Sequence, residues 1–176
     1  MSQLLEGAPA PETIAHARVG MALSPPASFV KSVISWLTHL SQLTIQDRDM
    51  ASRVRIAVAE LTENVIKYGR TGSQRVDIVL EQRRGQLYLR IETTNSAPER
   101  DIGRAVELLS QLRDSVDPIA YYDQLILSVA PTHEPGVSGL GLARIRAEGE
   151  LELDFRVQGD VLTIFVETPI GAQQAA

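Results

Sequence analysis

Three polar side chains in the stretch AELTENVIKYG, residues 59–69, have the types and the spacing that metal and phosphate chemistry needs. Glu60, Asn64 and Lys67 lie four and three residues apart, so a helix would place them on one side. A carboxamide oxygen can ligate a divalent cation, a carboxylate can accept a proton, and an ammonium can meet a phosphate oxygen. The same spacing also fits a solvated helix face with an ordinary Glu63–Lys67 pair. This stretch alone leaves both interpretations open.

A second candidate is the glycine-rich stretch GVSGLGLA, in which Gly136, Gly139 and Gly141 run into a helix predicted from Leu140 to Ala147. Glycine lets backbone N–H groups approach an anion, and a helix N-terminus adds donors and a positive dipole end. No Gly-Lys-Ser/Thr sequence follows, which excludes a P-loop, and no clear strand precedes it, which argues against a dinucleotide fingerprint. Taken alone, the motif fits either a polyphosphate cradle or a packing or flexible loop.

Hydrophobic periodicity predicts the elements that would position these motifs. The polar residues fall on a long helix that begins at the predicted N-cap Asp47 and ends at Gly69. The turn signals Arg83-Arg84-Gly85 and Gly159-Asp160 each predict a β-hairpin. Further elements are predicted as a strand over residues 17–23 and helices over 27–43, 101–114 and 119–130. This order predicts an α+β fold with helices on one face of a mixed or antiparallel sheet.

Composition and charge restrict the class of protein. The chain has 176 residues, enough for one domain with its own core, and we expect a leader over 1–12, a domain over 13–168 and a tail over 169–176. A net charge of −5 without a basic cluster argues against nucleic-acid binding. The absence of cysteine excludes disulfides and zinc–thiolate sites, and the three histidines lack ligand spacing. Without a secretory signal or a long apolar run, the expectation is a cytoplasmic protein with no membrane partner.

Considered together, ENVIKYG on a helix and the later GVSGLGLARI resemble the N box and the second glycine box of the GHKL superfamily of histidine-kinase-like ATPases. The resemblance covers roughly residues 17–168, and the layout is most similar to the bacterial anti-sigma-factor serine kinases. It implies a two-layer α/β sandwich of the Bergerat type and an ATP-binding site with Mg²⁺.

The resemblance also implies roles for individual residues. Asn64 would be the Mg²⁺ ligand, Glu60 the general base, and Lys67 and Tyr68 would border the phosphates. The residues that would wrap the nucleotide are Gly136, Ser138, Gly139, Leu140 and Gly141.

One segment departs from the superfamily pattern. The first glycine box places an Asp after a strand, where it contacts the adenine amino group, and two glycines follow. Here the matching stretch reads TTNSAPERDIG, with Asn95 or Thr94 near the Asp position and Ser96-Ala97-Pro98 where the glycines are missing. Asn95 offers an acceptor to adenine without a negative charge.

Two functions follow from this combination. The first is an Mg·ATP-dependent serine/threonine kinase of the anti-sigma type that phosphorylates a partner protein, either an anti-sigma antagonist or another signalling protein. The second is a regulatory module with a GHKL-like fold that acts by protein–protein binding, with weak or no nucleotide turnover. The retained Glu60, Asn64 and Lys67 favour the first, and the altered adenine loop favours the second. Because anti-sigma kinases often dimerise, the resemblance also allows a homodimer.

Overall fold

The computed structural model describes residues 12–21, 31–32, 34–36, 38–39, 45, 47–70, 72–129 and 139–170 of the chain. Its strands are β1 (Glu12–Met21), β2 (Gln74–Arg83), β3 (Gln86–Ser96), β4 (Leu153–Gln158) and β5 (Val161–Ile170). Its helices are α1 (Arg48–Tyr68), α2 (Glu99–Asp114), α3 (Pro118–Val129) and α4 (Leu140–Ala147). The described residues between 31 and 39 are also helical, within the helix predicted there.

The five strands form one sheet in the order β1-β2-β3-β5-β4, and every neighbouring pair is antiparallel. Helix α1 packs against β2, β3 and β5, while α2 packs against β4 and α4 packs against α1 and α3. The apolar core lies between these layers and includes Leu61 of α1, Ile91 of β3 and Val166 of β5. The predicted α+β sandwich with helices on one face of an antiparallel sheet is therefore confirmed.

Helix α1 forms where its caps and apolar stripe predict it. The Asp47 carboxylate accepts hydrogen bonds from the backbone N–H groups of Asp49 at 2.8 Å and Met50 at 3.3 Å, as an N-cap residue should. The buried side of the helix presents Val54, Ala57, Val58, Leu61, Thr62 and Val65 to the core. The helix thereby fixes which side of the Glu60–Lys67 segment faces away from the sheet.

The helix ends at Gly69 because the chain passes very close to the sheet there. A Cβ atom at Gly69 would lie 2.5 Å from the Val65 carbonyl oxygen, 2.7 Å from Gln74 Cγ and 2.9 Å from Asn95 Cβ. No other residue fits this position without movement of the backbone, since real Cβ atoms do not make such contacts. Gly69 therefore brings the end of α1 directly against the strand that carries Asn95.

The first and the last strand along the chain both differ from the sequence prediction. The first strand was predicted at residues 17–23, but β1 runs from Glu12 to Met21 and pairs with β2 along its length. Its start depends on this pairing and not on the short apolar run ARVGMAL, and residues 22–23 lie outside the described part of the chain. At the other end, β5 continues to Ile170, which is buried, although residue 169 was the predicted start of the tail.

The sheet face opposite the helices carries a network of charged side chains around Asp77. Its carboxylate accepts hydrogen bonds from Arg18 Nε at 2.6 Å and Arg75 Nε at 2.7 Å, and it lies 2.6 Å from His16 Nε2. Burial alone would raise the pKa of Asp77, but these hydrogen bonds and positive charges hold it below its ordinary value. The network ties β1 to β2 by side chains as well as by backbone pairing.

Candidate functional site

A cavity of about 910 Å³ opens between the helices α1, α2, α3 and α4 and the ends of β3 and β5. Its size falls within the range of small-molecule sites. Eight of the ten predicted site residues line it: Glu60, Asn64, Lys67, Tyr68, Asn95, Gly139, Leu140 and Gly141. The other two, Gly136 and Ser138, lie outside the described residues. The structure therefore brings together residues from three distant segments of the chain.

Helix α4 meets α1 at a close contact in which Gly141 leaves room for the Glu60 side chain. A Cβ atom at Gly141 would lie well inside van der Waals contact with Glu60 Oε2, 3.3 Å from Glu60 Cδ and 3.5 Å from Asn64 Nδ2. The N-cap residue Gly139 has φ 61°, a left-handed conformation that favours glycine. The first-turn N–H groups of Gly141 and Leu142 have no acceptor within the helix. The glycines thus place a helix N-terminus beside the two polar side chains of α1.

Glu60 is held in an ion pair with Arg144 of α4. Arg144 Nη1 donates to Glu60 Oε1 at 3.1 Å, and its Nε donates to Glu148 Oε2 at 2.7 Å. The Glu60 side chain is 19% exposed and that of Arg144 44% exposed. The hydrogen bond that Arg144 donates to Glu148, followed by the one that it donates to Glu60, raises the pKa of Arg144 above its ordinary value. The guanidinium of Arg144 therefore pairs with both carboxylates, those of Glu60 and Glu148.

Asn64 lies one turn after Glu60 and has an unsatisfied amide. Its Nδ2 atom is buried and has no hydrogen-bond partner among the described residues. Leaving a buried amide group unpaired costs on the order of 1–3 kcal/mol, so such a group in a cavity wall marks a place where a polar ligand would fit. Because the two ends of a carboxamide are interchangeable by rotation, Asn64 can present either its oxygen or its nitrogen to the cavity.

Lys67 and Tyr68 lie at the exposed side of the cavity. The Lys67 ammonium is 5.1 Å from the centre of the Tyr68 ring, within cation–π distance, and both side chains are exposed. This pairing holds a positive charge one turn beyond Asn64. The position fits a contact with an anion that enters from solvent.

The cavity lining also includes apolar side chains and a buried amide. Asn95 of β3 is 7% exposed. The apolar side chains include those of Val65, Ala97, Ile102, Leu162 and Ile164. An apolar lining with a buried amide is suited to a flat heterocycle that offers hydrogen-bonding groups along its edge. Asn95 thus lines the cavity, and its contact with adenine stays a prediction.

The structure adds cavity residues that the sequence did not single out or left unassigned. Arg144 lines the cavity and pairs with Glu60. Of the adjacent Tyr121 and Tyr122 only the second lines the cavity, as expected for neighbours on a helix, while Tyr121 donates to Gln111 at 2.9 Å. Burial is the main cause that raises the pKa of Tyr122.

Helix α2 also contributes residues to the cavity that sequence reasoning missed. Arg100 and Arg104 lie one turn apart and both line it. Two positive charges at this spacing repel each other on an isolated helix. This unfavourable pair was the signal in the sequence that could have pointed to a binding role for the two arginines. The helix begins at Glu99, directly after Ser96-Ala97-Pro98.

Protein side chains alone do not form a metal cage in this cavity. Among the described residues there is no group of three or more His, Cys, Asp or Glu side chains that could hold a metal ion. A divalent cation here would therefore depend on Asn64 together with oxygen atoms of a ligand and water, which is how Mg²⁺ commonly binds with phosphates.

In the part of the chain that the structure covers, we find no helix with the length and apolarity required to span a bilayer.

Comparison with known proteins gives a fold match only. No protein-family model matches the chain, and no curated protein matches it significantly. Among solved structures, it is similar to a chain of the crystal structure of the SiaB-SiaC complex from Pseudomonas aeruginosa, with a TM-score of 0.59. The match has 13% sequence identity and covers 90% of this chain and 91% of that chain. At this identity the likeness shows a shared fold and leaves the function to be argued from the site.

Proposed function

We propose that this protein is an ATP-binding signalling protein of the GHKL type that transfers a phosphoryl group from Mg·ATP to a partner protein. The observation that carries the proposal is the convergence of α1, β3 and α4 on one cavity. This cavity is lined by polar and charged side chains, Glu60 and Asn64 among them, and by apolar side chains together with the buried Asn95. A site that combines both kinds of lining matches a nucleotide, which has a charged phosphate chain and a flat base.

The residues present fit Mg·ATP on three observations. The buried, unpaired Asn64 amide offers a ligand for a cation or a phosphate oxygen. Gly141 adds no side chain of its own beside Glu60 and Asn64, so once the Glu60 carboxylate moves aside an anion can approach the backbone N–H groups. The apolar slot around Asn95 accommodates a base. When bound, Mg²⁺ would neutralise negative charge on the phosphates beside Asn64.

The chain's own groups would supply positioning and proton transfer. Glu60 would accept the proton of an attacking hydroxyl, because its carboxylate borders the same cavity end as Asn64. The α4 N-terminus would hold the phosphate chain, and Lys67 would meet it from the solvent side. Phosphoryl transfer depends on alignment and charge neutralisation more than on covalent chemistry. A carboxylate, a helix N-terminus and a lysine are therefore the types of group that the reaction needs.

A protein is the proposed acceptor of the phosphoryl group. The structural neighbour is part of the SiaB-SiaC complex. Because a protein complex contains a chain of this fold, we propose a partner-binding role for this chain. A hydroxyl group of the partner protein would be the nucleophile.

A second candidate function is a regulatory module without efficient turnover. Two observations favour it: Ser96-Ala97-Pro98 stand where the adenine loop would have glycines, and Arg144 already pairs with the Glu60 carboxylate. The two candidates share the cavity and the partner, and they differ in whether bound ATP loses its γ-phosphate. Hydrolysis or transfer measured with γ-labelled ATP, with Glu60→Gln as the comparison, separates them.

The test of the nucleotide site is thermal unfolding with ATP or ADP and Mg²⁺. At a hundredfold excess over the dissociation constant, a ligand stabilises the fold by about 2.7 kcal/mol, and each kcal/mol raises Tm by about 2–4 °C for a chain of this size. We expect a shift of that order in the wild type, and loss of its Mg²⁺-dependent part in Asn64→Ala. Glu63→Gln, which changes another side chain of the same cavity, is the control. Absence of any shift at millimolar nucleotide would refute the proposal.

A further inference from the structure

Arg144 lies in the cavity, but the proposed phosphate site gives it no role. Its guanidinium lines the cavity, is partly exposed and contacts two carboxylates, Glu60 at 3.1 Å and Glu148 at 2.7 Å. Glu148 lies four residues further along the chain, so this contact is local and fixes the arginine's direction. The contact with Glu60 joins α4 to α1 across the cavity.

The Glu60 carboxylate lies against α4. Oε1 accepts a hydrogen bond from Arg144, and Oε2 lies where a Cβ atom at Gly141 would meet it. Gly141 and Arg144 are three residues apart and therefore share a face of α4. The carboxylate thus occupies the place directly in front of the helix N-terminus and the guanidinium, which are both groups that attract anions.

A phosphate group would compete with Glu60 for this position. Arginine pairs with phosphate through two parallel hydrogen bonds, and a polyphosphate brings more negative charge than one carboxylate. The ion pair it must displace is weak, because partly exposed pairs contribute little and are screened by salt. Glu148 can keep its contact through Nε while the Nη side of the guanidinium turns to the new anion.

We propose that Arg144 is a phosphate-binding residue of the cavity, which Glu60 holds in the free protein and releases when a polyphosphate enters. The inference rests on the proposed function only in that the cavity takes a phosphate chain. Its consequence for that function is a coupling: occupation of the phosphate position frees Oε1 of Glu60, so the carboxylate becomes available to a hydroxyl only when the phosphate is present.

The test is titration calorimetry with inorganic tripolyphosphate in the absence of metal, on the full chain. Glu60→Gln removes the competitor and should tighten binding by about fivefold, the upper range for a partly exposed ion pair. Arg144→Gln should weaken binding by about tenfold, as expected for a lost hydrogen bond between charged groups. In the double variant, Glu60→Gln should bring no gain, since it acts through Arg144.

Two matched variants separate this contact from the general effect of charge. Glu63→Gln and Arg104→Gln remove the same charges from the same cavity lining but leave the Glu60–Arg144 pair in place. Urea unfolding of each variant establishes that it is folded before titration. The Glu60 and Arg144 effects should each exceed those of the matched variants by several-fold.

Three results would overturn the inference: Glu60→Gln equal to Glu63→Gln, Arg144→Gln equal to Arg104→Gln, or no binding of tripolyphosphate to any variant at millimolar concentration. Failure of the proposed function is seen separately, as the absence of stabilisation by Mg·ATP. Stabilisation by Mg·ATP that is the same in the wild type and in Arg144→Gln would overturn the role of Arg144 and leave the nucleotide site standing.

Discussion

Replacement of Gly141 by alanine should separate the cavity's function from the stability of the fold. The added methyl group would point at Glu60 Oε2 and lie 3.3 Å from Glu60 Cδ and 3.5 Å from Asn64 Nδ2. The clashing atom is the far end of a flexible side chain, so Glu60 can rotate away while the backbone remains in place. That rotation breaks the contact with Arg144 and moves the carboxylate into the cavity.

The energetic terms of this substitution nearly cancel. Alanine is favoured over glycine in a helix by up to about 1 kcal/mol. Loss of the partly exposed Glu60–Arg144 pair costs about 0.2–1 kcal/mol, and an off-rotamer glutamate costs about 0.5–1.5 kcal/mol. We therefore expect the free energy of unfolding to stay within about 1 kcal/mol of the wild type, while binding of ATP falls by at least about tenfold because a side chain now blocks the phosphate position.

The assay pairs urea unfolding with titration of ATP in the presence of Mg²⁺. Gly103→Ala is the matched control, because Gly103 lies on α2, faces open space and is not in the cavity lining. It should stabilise the protein by up to about 1 kcal/mol and leave the affinity for ATP unchanged.

Two outcomes would refute this reasoning. Wild-type affinity in Gly141→Ala would mean that phosphate does not approach α4 at this residue. A loss of more than about 3 kcal/mol of stability would mean that the close contact is required by the packing of the core and not by a ligand.

The remaining predictions concern stability. Gly69→Ala should destabilise the protein by about 1–3 kcal/mol in urea unfolding, because its Cβ would meet the rigid Val65 carbonyl; a neutral result would mean that α1 is not held against the sheet as described. Gly139→Ala should cost about 1–2 kcal/mol, since its φ of 61° is left-handed; an unchanged midpoint would contradict that backbone conformation. Asp77→Asn should lower stability at neutral pH by about 1–3 kcal/mol. Because the folded pKa of Asp77 is lowered by its basic neighbours, its contribution is complete above the unfolded pKa of about 3.9 and is lost as the pH falls through the folded pKa. Unfolding curves of the variant should therefore depend less on pH below about 4, and equal slopes for both proteins would count against the network.

Much of the fold was predictable because its signals are local. Asp47 caps α1 where a short polar residue precedes a helical stripe, and both hairpins turn at their glycine-containing loops. The start of the first strand and the end of the last strand were not predictable in the same way. The start of β1 and the last residues of β5 are determined by pairing with strands that lie far away in the chain, and Ile170 is buried by that pairing.

The same contrast between local and long-range signals applies to the candidate site. Glu60, Asn64 and Lys67 could be found because they share a face of one helix. The partner of Glu60 could not, because the ion pair with Arg144 joins two segments that meet only in the folded protein. A solvated arginine and a cavity arginine on a short helix have the same sequence pattern, so only the tertiary packing distinguishes them.

The most direct test of the central claim is a nuclear magnetic resonance titration of the labelled protein, in which the side-chain amide signals of Asn64 and Asn95 are followed. We predict that adenosine shifts the Asn95 signal alone, and that ATP with Mg²⁺ shifts both signals together with the backbone signals of Gly139 and Gly141. Omission of Mg²⁺ should reduce the change at Asn64 most. Binding that shifts signals away from this cavity, or no change at millimolar nucleotide, would contradict the claim that the cavity is a nucleotide site.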